Sequence, residues 1–213
     1  LSKIPKLVDK ALEYKMKALA LTDHGVMYGV VPFYLECKEK GIKPIIGCEV
    51  YVAHRSRFDK QAHVDVDQYH LVLLAKNETG YKNLMKLTTA AHLEGFYYKP
   101  RVDFELLNKY KEGLIVSSAC LEGEVPSLFI QNKDEEAETA AKKLLEIFGG
   151  DFYLEIQAHE NLPKQDIANK KIINLSRKLG IPLIATNDIH YVEKDDAEAQ
   201  DALLAVQTKK MIT

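Results

Sequence analysis

Residues 18–25 of the chain have the sequence ALALTDHG, in which a short apolar run leads directly into Asp23 and His24. We interpret Ala18 to Thr22 as a buried strand because its side chains are mostly apolar, and Gly25 permits a sharp exit from it. The stretch therefore predicts a strand that carries a carboxylate and an imidazole at its carboxyl end. Taken alone, it also allows Asp23 to cap a turn and His24 to be an ordinary half-buried histidine.

The same alternation of helices and strands continues along the chain. Helical spacing of apolar residues, Pro near helix starts and Gly after helix ends predict the helices, and short β-branched runs predict the strands. The predicted strands are 18–22, 44–52, 70–75, 113–118, 152–157 and 181–186, and the predicted helices are 5–15, 31–40, 79–93, 135–148, 163–179 and 195–206.

Almost wholly apolar strands that alternate with helices predict an α/β fold with a parallel sheet covered by helices, either open or closed into a barrel. We favour the barrel because polar residues follow several of the strands. The carboxyl ends of barrel strands converge on one mouth, so these residues would share one site. The one clearly loop-like polar stretch is residues 55–68.

The composition limits the classes of protein to which this chain can belong. The 213 residues are 46% hydrophobic and 28% charged, which is typical of one large or two small globular domains. Apolar runs are much shorter than the roughly 20 residues of a membrane span, so we expect a cytoplasmic protein without a membrane partner. Three widely spaced cysteines without a CxxC pair argue against disulfides. With a net charge of -2, the chain has no excess of basic residues that would support tight DNA binding.

Several polar residues occupy positions that suit metal ligands. Asp188 and His190 are two apart in an expected extended segment, so they would point the same way and reach one ion. Glu49 lies within an otherwise apolar strand, where a carboxylate is costly unless it is paired or coordinated. The alternative is an edge strand on which Glu49 faces solvent.

For two further candidate metal ligands and one loop, a purely structural role competes more strongly with a functional one. His70 begins its strand rather than ending it. A free cysteine such as Cys120 is usually a small buried hydrophobe, and only its position at a strand end suits a soft metal ligand. Residues 97–101, YYKPR, interleave aromatic and basic side chains as a single-stranded nucleic-acid contact would. A packed loop with exposed Lys99 and Arg101 explains that stretch equally well.

The whole chain resembles the PHP domain of the alpha subunit of bacterial DNA polymerase III. The most specific stretches are 20–25 (ALTDHG), 41–53 (GIKPIIGCEVYVA), 70–84 (HLVLLAKNETGYKNL), 94–101 (EGFYYKPR) and 185–191 (ATNDIHY). The resemblance implies a distorted (βα)7 barrel that holds up to three divalent ions of Zn, Mn or Mg. It implies metal ligands at His24, Glu49, His70, Cys120, Asp188 and His190, with catalytic roles for His24, Glu49, Asp188 and His190.

The chain also departs from that family pattern. Family members begin with a strand that bears a His-x-His pair followed by an acidic residue, and residue 1 lies after this strand. We therefore expect the first strand to be missing, with an incomplete metal site and an opened barrel. Residues 1–213 would form one PHP domain fragment, in which 195–213 lead toward the polymerase palm.

The resemblance implies a part in a DNA-directed DNA polymerase whose polymerase active site lies outside these residues. The domain would be either a 3′–5′ proofreading exonuclease or a structural module. Its implied partners are DNA, the sliding clamp and a separate proofreading subunit. The alternative is a stand-alone phosphatase that acts on a small phosphate ester such as histidinol phosphate.

Overall fold

Helices and strands alternate in the computed structural model, which describes residues 2–159 and 162–208. The helices are α1 (Ile4–Glu13), α2 (Val30–Lys40), α3 (Glu78–Leu93), α4 (Phe104–Lys109), α5 (Glu124–Ile130), α6 (Asp134–Phe148), α7 (Pro163–Leu179) and α8 (Ala197–Thr208). The strands are β1 (Ala18–Leu21), β2 (Lys43–Ala53), β3 (Gln68–Ala75), β4 (Arg101–Val102), β5 (Leu114–Ser117), β6 (Phe152–Gln157) and β7 (Leu183–Thr186).

The predicted α/β class is confirmed, and each predicted element appears with its ends shifted by a few residues. Strand β4 and helices α4 and α5 were not predicted, because elements this short show no clear periodicity. The predicted terminators act as expected, since α2 and α7 end at Gly41 and Gly180 in the left-handed conformation. Residues 209–213, at the end of the segment expected to lead toward a palm, lie outside the described residues.

The chain forms two compact units. The first comprises Leu1–Leu19, Gly29–Pro44 and Asp188–Thr213, and the second comprises Ala20–Tyr28 and Ile45–Asn187. Helices α1, α2 and α8 belong to the first unit, in which Lys40 of α2 pairs with Asp9 of α1. The second unit contains most of the sheet together with α3 to α7. No helix in the described part of the chain is long and apolar enough to span a membrane.

The sheet has the strand order β1-β2-β3-β5-β6-β7, with β4 paired to β2. Strands β5, β6 and β7 are parallel, but β3 is antiparallel to both β2 and β5. The expectation of an entirely parallel sheet is therefore wrong. Parallel neighbours need a crossover connection that is usually a helix, whereas β2 and β3 are joined by a polar loop without one.

The core of the second unit lies on one face of β3. Leu71 and Leu73 are buried there, while His70 and Val72 alternate with them and are partly exposed. This period of two places His70 on the opposite face from the apolar core. Strand β3 thus combines a packing face with a face that carries a polar site.

Gly80, in the first turn of α3, packs directly on the backbone of Gly113. A Cβ atom on Gly80 would lie 1.8 Å from the Gly113 carbonyl oxygen. We expect Gly80→Ala to lower the free energy of unfolding by roughly 1–3 kcal/mol, because the helix start must move away from this carbonyl. Urea denaturation measures the change.

The matched control is Gly150→Ala, since a Cβ atom there would meet nothing within 4 Å. We expect this control to change the free energy of unfolding by less than about 0.5 kcal/mol. Equal stabilities of the two variants would contradict the close packing of Gly80.

Candidate metal centre

The exit of β1 places His24 beside Glu49 of β2. The backbone N–H of Gly25 donates to the Glu49 carbonyl oxygen at 2.8 Å, and the N–H of Glu49 donates to the Asp23 carbonyl oxygen at 3.0 Å. These two bonds continue the parallel pairing beyond β1 and hold His24 opposite Glu49.

His70 reaches the same place because β3 runs antiparallel to β2. Tyr51 is paired with His70 and Glu49 with Val72, so Glu49 and His70 are diagonal neighbours on one face. The start of β3 therefore lies at the edge of the sheet where β5 ends. His70 was a weaker candidate because it begins its strand, but in an antiparallel strand this position brings it to the site.

Three atoms that could bind a metal ion converge at this edge. Glu49 Oε1 lies 2.6 Å from His70 Nδ1 and 3.4 Å from His24 Nδ1. One ligand atom from each residue lies within 4.8 Å of the other two. The Glu49 side chain is buried, whereas that of His24 is 44% exposed and leaves the cluster open on its side.

The charge of Glu49 is stabilised by these neighbours. Burial alone would raise the pKa of the Glu49 carboxyl, but its contacts with the imidazoles of His24 and His70 outweigh burial and lower the pKa to about 2. Burial raises the pKa of the adjacent Cys48 thiol to about 12, and its Sγ donates to the Asp23 carbonyl oxygen at 3.3 Å. Cys48 is therefore a buried thiol that belongs to the packing around the site.

Cys120 lies beside the cluster. Its Sγ is 3.6 Å from His70 Nδ1. The preceding residue, Ala119, is buried and adopts the left-handed conformation at φ 61°, which is uncommon for a residue other than glycine. This local turn after β5 directs the chain so that the sulfur approaches His70.

Asp188 and His190 are close to each other in the first unit, whereas His24, Glu49, His70 and Cys120 belong to the second. His190 Nδ1 lies 2.9 Å from the Asp188 carbonyl oxygen and 3.7 Å from Asp188 Oδ1. The expected extended conformation is wrong at Asp188, which has φ 49°. The left-handed region places successive side chains differently from a strand.

Tyr51 is a neighbour of the cluster that the sequence analysis missed. Its ring is stacked on His24 at a centroid distance of 6.3 Å and meets His70 edge-on at 5.3 Å. The available signal was its position two residues after Glu49, which places both side chains on one face of β2.

Comparison with known proteins identifies the family of this chain. The family model described as "PHP domain" matches residues 1–159. The chain belongs to the PHP domain family.

Curated relatives of this PHP domain are much longer proteins. DNA polymerase III subunit alpha of Borreliella burgdorferi is 50% identical over 208 residues, covering 97% of this chain and 18% of the relative. The subunit of the same name from Treponema pallidum is 50% identical, with 98% and 18% covered, and that of Thermus aquaticus is 48% identical, with 90% and 16% covered. The chain thus spans less than a fifth of each.

Solved structures with some likeness to this PHP domain have low sequence identity. An amidohydrolase from Chromobacterium violaceum is 13% identical at a TM-score of 0.48, with 88% of this chain and 82% of that chain covered. A putative metal-dependent phosphoesterase from Bifidobacterium adolescentis is 11% identical at a TM-score of 0.44, with 91% and 84% covered.

The residues of this PHP domain fit a divalent metal ion. Although Glu49 Oε1 is close to His70 Nδ1, no donor among the described residues is aligned for a hydrogen bond with this buried oxygen. A buried carboxylate oxygen normally has such a donor unless it coordinates a cation. Two imidazole nitrogens and one carboxylate oxygen form a donor set that suits Zn²⁺ or Mn²⁺.

Proposed function

We propose that this PHP domain is a metal-dependent phosphoesterase that removes 3′-terminal nucleotides from DNA within a bacterial replicative polymerase. The observation that carries the proposal is the cluster of His24, Glu49 and His70. It combines a buried, ionised carboxylate with two imidazoles at an edge of the sheet that is open on the His24 side.

The proposed metal ligands in the second unit are His24, Glu49, His70 and Cys120, and the roles of Asp188 and His190 remain predictions from the sequence resemblance. A divalent ion held by these residues would supply Lewis acidity toward water and toward the departing oxygen of a phosphate ester. Within the chain, Glu49 supplies the negative charge that attracts a cation, and its burial keeps that charge from being screened by solvent. Tyr51 packs against both histidine rings and limits their orientations.

The larger context of this activity is also a proposal. Relatives named DNA polymerase III subunit alpha support a role in DNA replication, with nucleotidyl transfer performed by parts of such a polymerase outside the matched region. The partners we propose are DNA, the sliding clamp and a proofreading subunit, in the cytoplasm. Residues 195–213 would connect the domain to the palm.

The test is release of 3′-terminal nucleotides from a 5′-labelled single strand, in the presence of Mn²⁺ or Zn²⁺, by a polymerase that carries this domain together with its upstream strand. We expect products that shorten by single nucleotides. We expect His24→Asn to lower the rate at least about a hundredfold, because losing a side chain that binds the metal matters at least as much as losing one that only orients a ligand. The control is His63→Asn, an exposed histidine of the polar loop, whose left-handed φ of 64° asparagine tolerates.

Absence of metal-dependent release, or equal rates for the two histidine variants, would contradict the exonuclease. Metal-dependent hydrolysis of a small phosphate monoester without release from DNA would instead favour a stand-alone phosphatase. Metal binding without any hydrolysis would favour the structural module.

A further inference from the structure

Residues 95–101, which we call the aromatic turn, are anchored by a buried arginine. Arg101 is 1% exposed, and its guanidinium donates four hydrogen bonds to backbone carbonyl oxygens. These acceptors lie 2.8 to 3.2 Å away and belong to Arg57, Asp59, Asp65 and Gly95. Arg101 therefore holds the aromatic turn in place and is not available to a ligand.

The tip of the aromatic turn presents a tyrosine to solvent. The N–H of Tyr97 donates to the Lys99 carbonyl oxygen at 3.1 Å, which closes a tight turn around Tyr98. Tyr98 has φ 59° and is 66% exposed, and its ring meets Tyr97 edge-on at 4.7 Å. A bulky residue in the left-handed region is strained, and such strain is concentrated at functional sites.

The aromatic turn adjoins the metal centre. Lys99 Nζ lies 5.2 Å from the centroid of the Tyr51 ring, and the same ring contacts the imidazoles of His24 and His70. A Cβ atom on Gly25 would lie 2.8 Å from Pro100 Cγ, so the residue after His24 packs closely on the turn. The turn that carries the Lys99 cation and the exposed Tyr98 ring is thus in contact with neighbours of the cluster.

We infer that the aromatic turn binds the single-stranded DNA end that the metal centre acts on, with Tyr98 stacked on a base and Lys99 paired with a phosphate. The inference rests on the proposed function. Stacking on an aromatic ring is independent of base sequence and requires an unstacked base, so a single strand fits Tyr98 better than a duplex does. With a net charge of -2, the protein needs such stacking because phosphate contacts alone give little affinity.

The experiment is fluorescence anisotropy of labelled oligothymidylate with the protein in EDTA, so that no metal-dependent hydrolysis occurs. We expect Tyr98→Asn to weaken binding roughly tenfold, within the range measured for loss of one base–aromatic stack. Tyr98→Phe should retain the wild-type affinity because the ring remains. Lys99→Met should reduce the slope of log affinity against log salt by about 0.7, the value for one phosphate contact on a single strand.

Tyr14→Asn is the matched control. Tyr14 is 65% exposed and has Lys10 Nζ at 5.3 Å from its ring, but it follows α1 and is not part of the aromatic turn. We expect its replacement to leave binding unchanged. Wild-type affinity in Tyr98→Asn, or no binding by the unsubstituted protein, would overturn the inference.

Hydrolysis distinguishes this inference from the proposed function. Metal-dependent release that requires His24, together with DNA binding that is unchanged in Tyr98→Asn, would overturn this inference but not the proposed function. Binding that depends on Tyr98 without any metal-dependent release would overturn the proposed exonuclease alone.

Discussion

Glu49→Gln is expected to lower the affinity of the protein for Mn²⁺ and Zn²⁺ at least about a hundredfold. Substitution of outer-shell partners already weakens metal binding by about 10- to 100-fold, and Glu49 supplies the only carboxylate of the three-residue cluster identified in the described residues. Glutamine preserves the volume of the side chain but removes the negative charge that opposes the charge of the ion. Isothermal titration with each metal, after removal of bound ions by a chelator, measures the difference.

The control for this prediction is Glu155→Gln. Glu155 is as buried as Glu49, at 4% exposure, but its carboxylate accepts hydrogen bonds from Ser117, Gln157 and Thr186. Because these donors already satisfy its oxygens, we expect the control to bind metal as the unsubstituted protein does. Equal affinities in Glu49→Gln and the unsubstituted protein would show that the cluster is not the metal centre.

Arg101→Met is expected to lower the free energy of unfolding by roughly 3–5 kcal/mol, because each buried acceptor that loses its donor costs about 1–3 kcal/mol. Methionine fills much of the space of the arginine stem but donates no hydrogen bond. Four backbone carbonyl oxygens would lose their donor, and those among them that stay buried would be unsatisfied. Burial lowers the pKa of Arg101, and the nearby Asp65 and Asp59 oppose this shift.

Urea denaturation tests the prediction with Arg177→Met as its control. Arg177 is exposed on α7, so its replacement should change the free energy of unfolding by no more than about 0.5 kcal/mol. A loss below about 1 kcal/mol in Arg101→Met would mean that water replaces the guanidinium at these carbonyls. In that case Arg101 would not be the anchor of the aromatic turn.

Comparison of His70 and Asp188 shows where local patterns stop being informative. His70 was disfavoured because it begins its strand, yet the antiparallel direction of β3 brings it within 2.6 Å of Glu49. Asp188 and His190 were favoured because residues two apart in a strand share a face, yet Asp188 is left-handed. The location of His70 depends on strand direction and the conformation of Asp188 on a single dihedral angle, and neither leaves a periodic trace in the sequence.

Residues 97–101, YYKPR, likewise have some roles that the sequence indicated and others that only the structure decided. The sequence indicated aromatic and basic residues together, and it allowed either a nucleic-acid contact or a packed loop. In the structure Arg101 is buried as an anchor, while Tyr98 remains exposed and Lys99 lies over Tyr51. Burial depends on which distant segments fold over a residue, so composition alone could not separate these roles.

By itself, the sequence determined the α/β class, the order of the principal helices and strands, and the residue types able to bind a metal. These properties follow from hydrophobic periodicity and from Gly and Pro signals, which act over a few neighbouring residues. Only the tertiary structure decided that β3 is antiparallel, that Glu49 meets His24 and His70, and that Arg101 is buried. Strand direction, register and burial depend on contacts between residues far apart in the chain, whose free energies no local pattern records.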